Sequence, residues 1–203
     1  MDRYWLLTWT AYGTWLPGDR RGFVSPVRAA SGALTVHNRP GTDFDANIPK
    51  LESEARRRLR CSPIRLLVDQ AGLLSTQLRD TAAIPQQEMC ALAVMHNHIH
   101  VVLGVPGDPD PSWLLRDMKA YASRALNARF SRPASGTWWT QSGSKRKLPN
   151  ESAIFAAVRY VRDQPGALVV WLADAWRREP GLVTQSVALR PPLARKRGPR
   201  LKH

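Results

Sequence analysis

Cysteine is nearly absent. Cys61 and Cys90 are the only two in 203 residues, and no Cys-x-x-Cys pair occurs. That spacing excludes a disulfide framework and a thiolate zinc site, and both residues read as reduced, mostly buried thiols. Long apolar runs are missing as well. No stretch approaches the roughly 20 residues needed to cross a bilayer, so no membrane partner is expected. The opening MDRYWLLTWT has an early acid and too short an apolar stretch for a signal peptide, which makes a cytoplasmic protein the expectation. No P-loop motif is present, so the chain carries no recognisable device for drawing energy from a nucleotide. Acid is scarce in proportion: 16 Asp and Glu face 30 Lys and Arg, a formal net charge of +14. Such an excess does nothing for a fold. It repels itself and attracts polyanions, and nucleic acid is the first polyanion to consider. Arg heavily outnumbers Lys, so genomic composition accounts for part of the excess.

What is present reads as one domain over residues 1–182 and a basic, Pro-rich tail over 183–203 that lacks periodicity. Residues 4–9 (YWLLTW) have the aromatic, apolar character of a buried first strand. The AYGTWLPGDRRG segment that follows is a loop by its Gly, Pro and Asp. Residues 25–46 are turn-rich and weakly patterned. Residues 49–60 and 66–82 read as helices, the first with acids early and arginines late, as the helix dipole favours. Two strands are expected at 88–95 and 98–104. Asp110 and Pro111 open a helix that runs to about Phe130. Residues 137–148 suggest a hairpin around Gly143. Asn150 caps a helix over 151–164, which Pro165-Gly166 ends. Strands interleaved with helices in this way imply an α+β or α/β sandwich with a central sheet.

The sharpest chemical signal is His96-Asn97-His98-Ile99-His100, which holds three of the five histidines. In a strand alternate side chains share a face. His98 and His100 therefore point one way, and two neighbouring imidazoles make half of a metal site. Neutral imidazole suits Mn, Fe, Zn, Ni and Cu, and Mg less well. His96 has the same parity and joins them only if the strand starts early. The bland alternative is a polar strand edge. On the 151–164 helix, Ile154, Ala157, Val158 and Val161 form an apolar stripe at about 100° per residue. Tyr160 and Gln164, one turn apart, lie on one edge of it. Tyr121 is the rival tyrosine. With Leu114, Met118 and Ala125 it falls in the apolar stripe of its own helix and reads as core. Spacing leans to Tyr160 as the exposed, reactive one without settling the choice.

Several groups could contact DNA. Lys145, Arg146 and Lys147 form a basic run suited to phosphate, as do Arg20 and Arg21 in the loop after the first strand and Arg159 and Arg162 on the tyrosine helix. Trp15, Trp138 and Trp139 could stack unpaired bases. Taken singly, each of these is more often a solvated turn or core packing.

With those residues in view, the chain resembles the single-tyrosine HUH transposases, which include small insertion-sequence transposases and REP-associated tyrosine transposases. The resemblance covers about residues 4–170. It rests on the YGTWLPGDRRG loop, the MHNHIHVVL strand, the MKAYASRALN helix and RYVRDQPGALV. The family usually has Pro where His96 stands. The resemblance implies an antiparallel sheet with helices on its faces, a ferredoxin-like or RRM-like sandwich. It implies that Tyr160 is the nucleophile and that His98, His100 and Gln164 hold a divalent ion, Mg2+ or Mn2+. It further implies single-stranded DNA substrates, often hairpin-forming. Some members are dimers that exchange the tyrosine helix and others are monomers; the sequence does not choose between them.

The implied reaction is transesterification through a 5′-phosphotyrosine link. Two other functions remain open on the sequence. One is a domesticated protein that binds single-stranded DNA hairpins without productive cutting. The other is a metal-dependent nuclease that activates water. The first leaves an intact His and Tyr set unused, and the second leaves the tyrosine helix unexplained.

Overall fold

The computed structural model describes residues 3–20, 26–28, 34–36, 48–84 and 86–177. Arg21 and the 183–203 tail lie outside them. Strand β1 (Arg3–Thr10) buries Trp5, Leu7 and Trp9 on one face and leaves Tyr4, Leu6, Thr8 and Thr10 half-buried on the other. Two short strands, β2 (Pro26–Arg28) and β3 (Leu34–Val36), pair antiparallel within the turn-rich segment. Helix α1 (Pro49–Arg57) starts on a proline and ends in arginines, and it buries none of its residues. Then come α2 (Val68–Ala83), β4 (Glu88–Val94), β5 (His98–Val105), α3 (Pro111–Arg129), β6 (Ser144–Leu148), α4 (Glu151–Arg162), β7 (Val169–Leu172) and a single turn, α5 (Asp174–Arg177).

The main sheet has the order β6-β1-β5-β4-β7, with antiparallel neighbours throughout. Without β7 and α4, the run β1-α2-β4-β5-α3-β6 is a βαββαβ unit. Its second and third strands form a hairpin, and each helix crosses over one intervening strand. This is the ferredoxin-like arrangement, an α+β sandwich. Helices α2 and α3 cover one face, packing Leu74, Leu78, Met118 and Leu126 against Trp9, Leu92, Val101 and Leu103. Helix α4 covers the other, setting Ile154, Ala157, Val158 and Val161 on Ala91, Ala93 and Val102. With both faces covered, β4 and β5 are apolar almost without interruption, unlike the alternating β1.

The helix ends follow from their caps. Asp110 accepts from the Ser112 amide at 2.8 Å ahead of Pro111, and Asn150 accepts from the Ala153 amide at 2.9 Å. Cys61 and Cys90 are free, Cys61 half-buried and Cys90 fully buried. Burial pushes the Cys90 thiol far up from its usual range, so it is an inert core group.

Two expectations need correction. Residues 137–148 form no hairpin of their own. Trp138 and Trp139 are buried, with indole nitrogens donating to Asn127 Oδ1 at 2.8 Å and to the Lys119 carbonyl at 3.1 Å. The segment before Gly143 is thus drawn onto α3 and touches the chain after β1 by a single bridge, Trp139 to Ala11, while Ser144–Leu148 pairs along β1. Tyr121 is not core. The buried row of α3 is Leu114, Leu115, Met118, Ala122 and Leu126, and Tyr121 is 38% exposed with the Arg124 guanidinium over its ring. The buried positions advance by four, which leaves Tyr121 just off the contact line. Strand β7 carried no sequence expectation, being four residues at a sheet edge.

Lys119 fastens the segment before β6. Its ammonium donates to the carbonyls of Thr140, Gln141 and Ser142 at 2.6, 3.1 and 3.2 Å. Replacing it with Met keeps the length and removes all three bonds, stranding the part-buried Thr140 oxygen. Lys119→Met is expected to lower stability by about 1–3 kcal/mol, read as a shifted urea midpoint at unchanged slope. A midpoint equal to that of the unmodified protein would show that the clamp contributes nothing.

Candidate active site

The site lies on the α4 face of the sheet and begins with register. Antiparallel pairing sets Thr8 opposite His100 and Thr10 opposite His98. His98 and His100, two residues apart on β5, share that face as expected, with ring centroids 4.6 Å apart and nearly perpendicular. Each has its Nδ1 engaged. Thr8 Oγ1 lies 2.7 Å from His100 Nδ1, and Asn97 Oδ1 lies 2.6 Å from His98 Nδ1. An amide oxygen only accepts, so His98 carries a proton on Nδ1, and Nε2 is the nitrogen that remains to act as a ligand. Supporting bonds of this kind orient imidazoles for metal binding. Burial, followed by the proximity of His98, pushes the His100 pKa down to about 3. The ring is therefore neutral at physiological pH, as a ligand must be.

Asn97 is held from behind by the loop after β1. Its carbonyl accepts from the Ala11 amide at 2.8 Å and the Thr14 hydroxyl at 3.0 Å. The loop turns at Gly13, whose φ of +72° favours glycine; a Cβ there would stand 3.2 Å from Leu59 and Pro63. The YGT part of the loop thus braces the residue that orients His98. Thr8 and Asn97 were missed in the sequence. Thr8 could have been found only from the strand register, and Asn97 only from knowing that the His96-Asn97 pair forms the β4–β5 turn. His96 does not join the pair. It is exposed, and its Nδ1 lies 3.1 Å from the Leu66 carbonyl, so it ties the lead into α2 to that turn.

Helix α4 brings Tyr160 to the histidines. Its buried stripe docks on the sheet, and Tyr160, beside Val161, stands 50% exposed at the margin. The hydroxyl is 3.4 Å from His100 Nε2, and the ring centroids are 5.1 Å apart. All of this happens within one chain. Gln164 follows one turn on, where its amide nitrogen donates to the Tyr160 carbonyl at 3.0 Å. That bond uses the nitrogen, whereas a hard cation takes the amide oxygen. Among the described residues no group of three or more His, Cys, Asp or Glu gathers as a metal cage. The donors on offer are two imidazoles and an amide. Two oriented imidazoles, one of them held neutral by burial, fit a divalent ion of the Mn type.

The candidate DNA contacts divide. Arg146 pairs with Leu6, which puts it on the same sheet face as Thr8 and His100. Lys145 and Lys147 alternate to the far face. There Lys145 donates to Ser112 Oγ at 3.0 Å, and Lys147 reaches Asp108 at 3.3 Å and lies over the Trp5 ring. Arg159 is exposed on α4, while Arg162 is tied to Asp163 at 2.7 Å. Arg20 is exposed and Trp15 half-buried in the loop; Trp138 and Trp139 pack in the core and cannot stack bases.

A pH titration by imidazole NMR checks the electrostatics. His100 is expected to stay neutral well below pH 5. The unfolded ring, with a pKa of about 6.5, takes its proton first, so stability should decline as pH falls from there toward 3. A His100 resonance that titrates near 6.5 would contradict the burial account.

The site lies within a recognisable segment. Residues 69–164 match the family model described as "Transposase IS200 like". No curated protein matches the sequence. Among solved structures, the chain is similar to a REP-associated tyrosine transposase bound to a REP hairpin. The identity is 16% and the TM-score 0.44, and the match covers 78% of this chain and 64% of that one. It is also similar to a candidate transposase from Deinococcus radiodurans R1, at 15% identity and TM-score 0.41, covering 81% of this chain and 92% of that one. The matched segment runs from the start of α2 to Gln164 and encloses both histidines and Tyr160, so the part of the chain that carries the site is similar to the IS200-like transposases.

Proposed function

We propose that the protein cuts and rejoins single-stranded DNA, with Tyr160 as the nucleophile. The observation that carries this reading is the Tyr160 hydroxyl 3.4 Å from His100 Nε2, beside a second oriented imidazole. Phosphoryl transfer needs an attacking oxygen next to a centre that stabilises charge on the phosphate. The two halves of that requirement come from α4 and β5.

In the proposed reaction the Tyr160 oxygen attacks phosphorus in line. A phosphorus–oxygen bond to Tyr160 forms as the bond to the 3′ oxygen breaks. The phenol proton is given up, and the departing 3′ oxygen takes one to become a hydroxyl. The 5′-phosphotyrosine link conserves the phosphodiester, so a DNA 3′-OH can reverse the step without an external energy source. A divalent ion, Mg2+ or Mn2+, held by His98, His100 and Gln164, would supply Lewis-acid stabilisation of the charge on the scissile phosphate. Asn97 fixes the His98 ring through Nδ1, and Thr8 fixes His100 so that its Nε2 faces the tyrosine. Arg146 and Arg159 supply positive charge for the flanking phosphates. DNA that folds into a hairpin beside the cut is the expected substrate.

The half-exposed tyrosine at the site favours this reading over a nuclease that activates water, because such a nuclease needs no phenol. It equally favours a cutting enzyme over a protein that only binds hairpins. The test uses single-stranded DNA with hairpins from the flanks of the protein's own gene, in Mn2+, resolved on denaturing gels. A covalent protein–DNA adduct is expected, abolished in Tyr160→Phe and retained in Tyr121→Phe. Cleavage that survives Tyr160→Phe would favour the hydrolase, and tight binding without cleavage the binding protein. Thr8→Val should weaken Mn2+ binding by about 10–100-fold while leaving the fold intact, since it removes a supporting bond and no ligand; calorimetric titration reads this directly.

A further inference from the structure

The face of the sheet away from the histidines carries a second feature. There α3 and the segment that leads into β6 enclose a groove of about 620 Å³. Arg116, Lys119 and Lys145 line it with charge, and Ser112, Ser123 and Thr140 with hydroxyls, over a floor that includes the buried Trp139. None of the residues lining it is Asp or Glu. The Lys119 ammonium is spent on three neutral carbonyls, which bind it without cancelling its charge. Burial lowers its pKa to about 8, so it remains mainly a cation at neutral pH. Lys145 gives one hydrogen bond to Ser112 and has further N–H groups to offer. Arg116 uses Nε on Asp117 at 3.1 Å, and its guanidinium has terminal N–H groups besides.

Two neighbouring features say what kind of anion this is. First, β6 is an edge strand, and its alternation sends Arg146 to the histidine face and Lys145 to the groove. Positive charge therefore continues round the edge of the sheet from one face to the other. Second, Trp113 is 61% exposed at the start of α3. On the helix it projects within about 20° of Ala120, which lines the groove. An exposed indole beside a basic channel is the combination that holds unpaired nucleic acid, with phosphates in the channel and a base on the ring. A duplex would present phosphates to the channel and no free base to the indole.

We propose that this groove is a second DNA site, which takes the phosphodiester backbone of an unpaired strand leaving the Tyr160 site round the β6 edge, with Trp113 stacking one of its bases. The inference rests on the single-stranded DNA reading above and extends it to the opposite face of the sheet.

The test measures binding of labelled oligo(dT) by anisotropy across a range of salt concentrations, in a Tyr160→Phe background so that no cleavage intervenes. Adduct formation on hairpin DNA by the unmodified protein is measured in parallel. Arg116→Gln with Lys145→Gln removes two phosphate contacts. The slope of log affinity against log salt should fall by about 1.4. Each single variant should lower it by about 0.7, which provides the answer if the double variant melts early. Trp113→Ala should weaken binding roughly tenfold at an unchanged slope. Unchanged slope and affinity in these variants overturn the groove whether or not the adduct forms. A loss of equal size on duplex DNA overturns the assignment to unpaired strands. A reduced slope without any adduct supports the groove and counts against the tyrosine chemistry instead.

Discussion

The site depends first on the register of β1 against β5. Side chains alternate with a period of two, so a one-residue slip would turn every side chain to the opposite face. It would bury the histidines under α2 and α3 and expose Ile99 and Val101 to α4. The register is held by bulk: Trp5, Leu7 and Trp9 on one strand and Ile99, Val101 and Leu103 on the other fill the same core. The large apolar residues thus specify where two small polar contacts fall, the bonds at His98 and His100. Gly143 belongs to the same constraint. A Cβ there would stand 2.6 Å from the Thr8 carbonyl, so the chain entering β6 lies close against the residue that supports His100.

The polar contacts in turn decide what the imidazoles can do. A buried histidine without a partner at Nδ1 is free to choose its tautomer and rotate. Here Thr8 and Asn97 remove that freedom, and the loop of Ala11 and Thr14 removes it from Asn97. Orientation is settled in the folded chain before any ligand arrives, which is how a site avoids reorganising during reaction. The YGT loop therefore contributes through its backbone and one hydroxyl.

Much of this was legible in the sequence, and the limits have physical causes. His98 and His100 could be placed on one face because period-two alternation is local. The α4 stripe and the position of Tyr160 beside it could be read because helical period is local too. Both caps, Asp110 and Asn150, announced their helices. Thr8 was not legible, because its role comes from a partner 92 residues away in the chain. The tryptophans at 138 and 139 misled because aromatic residues flanking a Gly look like a hairpin until α3 is there to bury them. Tyr121 misled by a single position on a helix wheel. The division of Lys145 and Lys147 from Arg146 needed only strand parity, yet parity has meaning only once β6 is known to be a strand at the edge of the sheet.

The length of α4 carries a consequence of its own. The helix leaves β6 at one edge of the main sheet and returns to β7 at the other, touching β4 and β5 on the way. Twelve residues of helix span about 18 Å, and five strands set edge to edge span about 19 Å. Helix and sheet are of similar span, and the helix is tied to an edge strand through the connection at each of its ends. The tyrosine, tenth residue of the helix, reaches the central strand, β5. Adding or removing a turn would leave the hydrophobic stripe able to dock but would carry the phenol about 5 Å along the span, past the histidines. In this design the stretch of α4 between its Asn150 cap and Tyr160 is the ruler that sets the distance between nucleophile and imidazole.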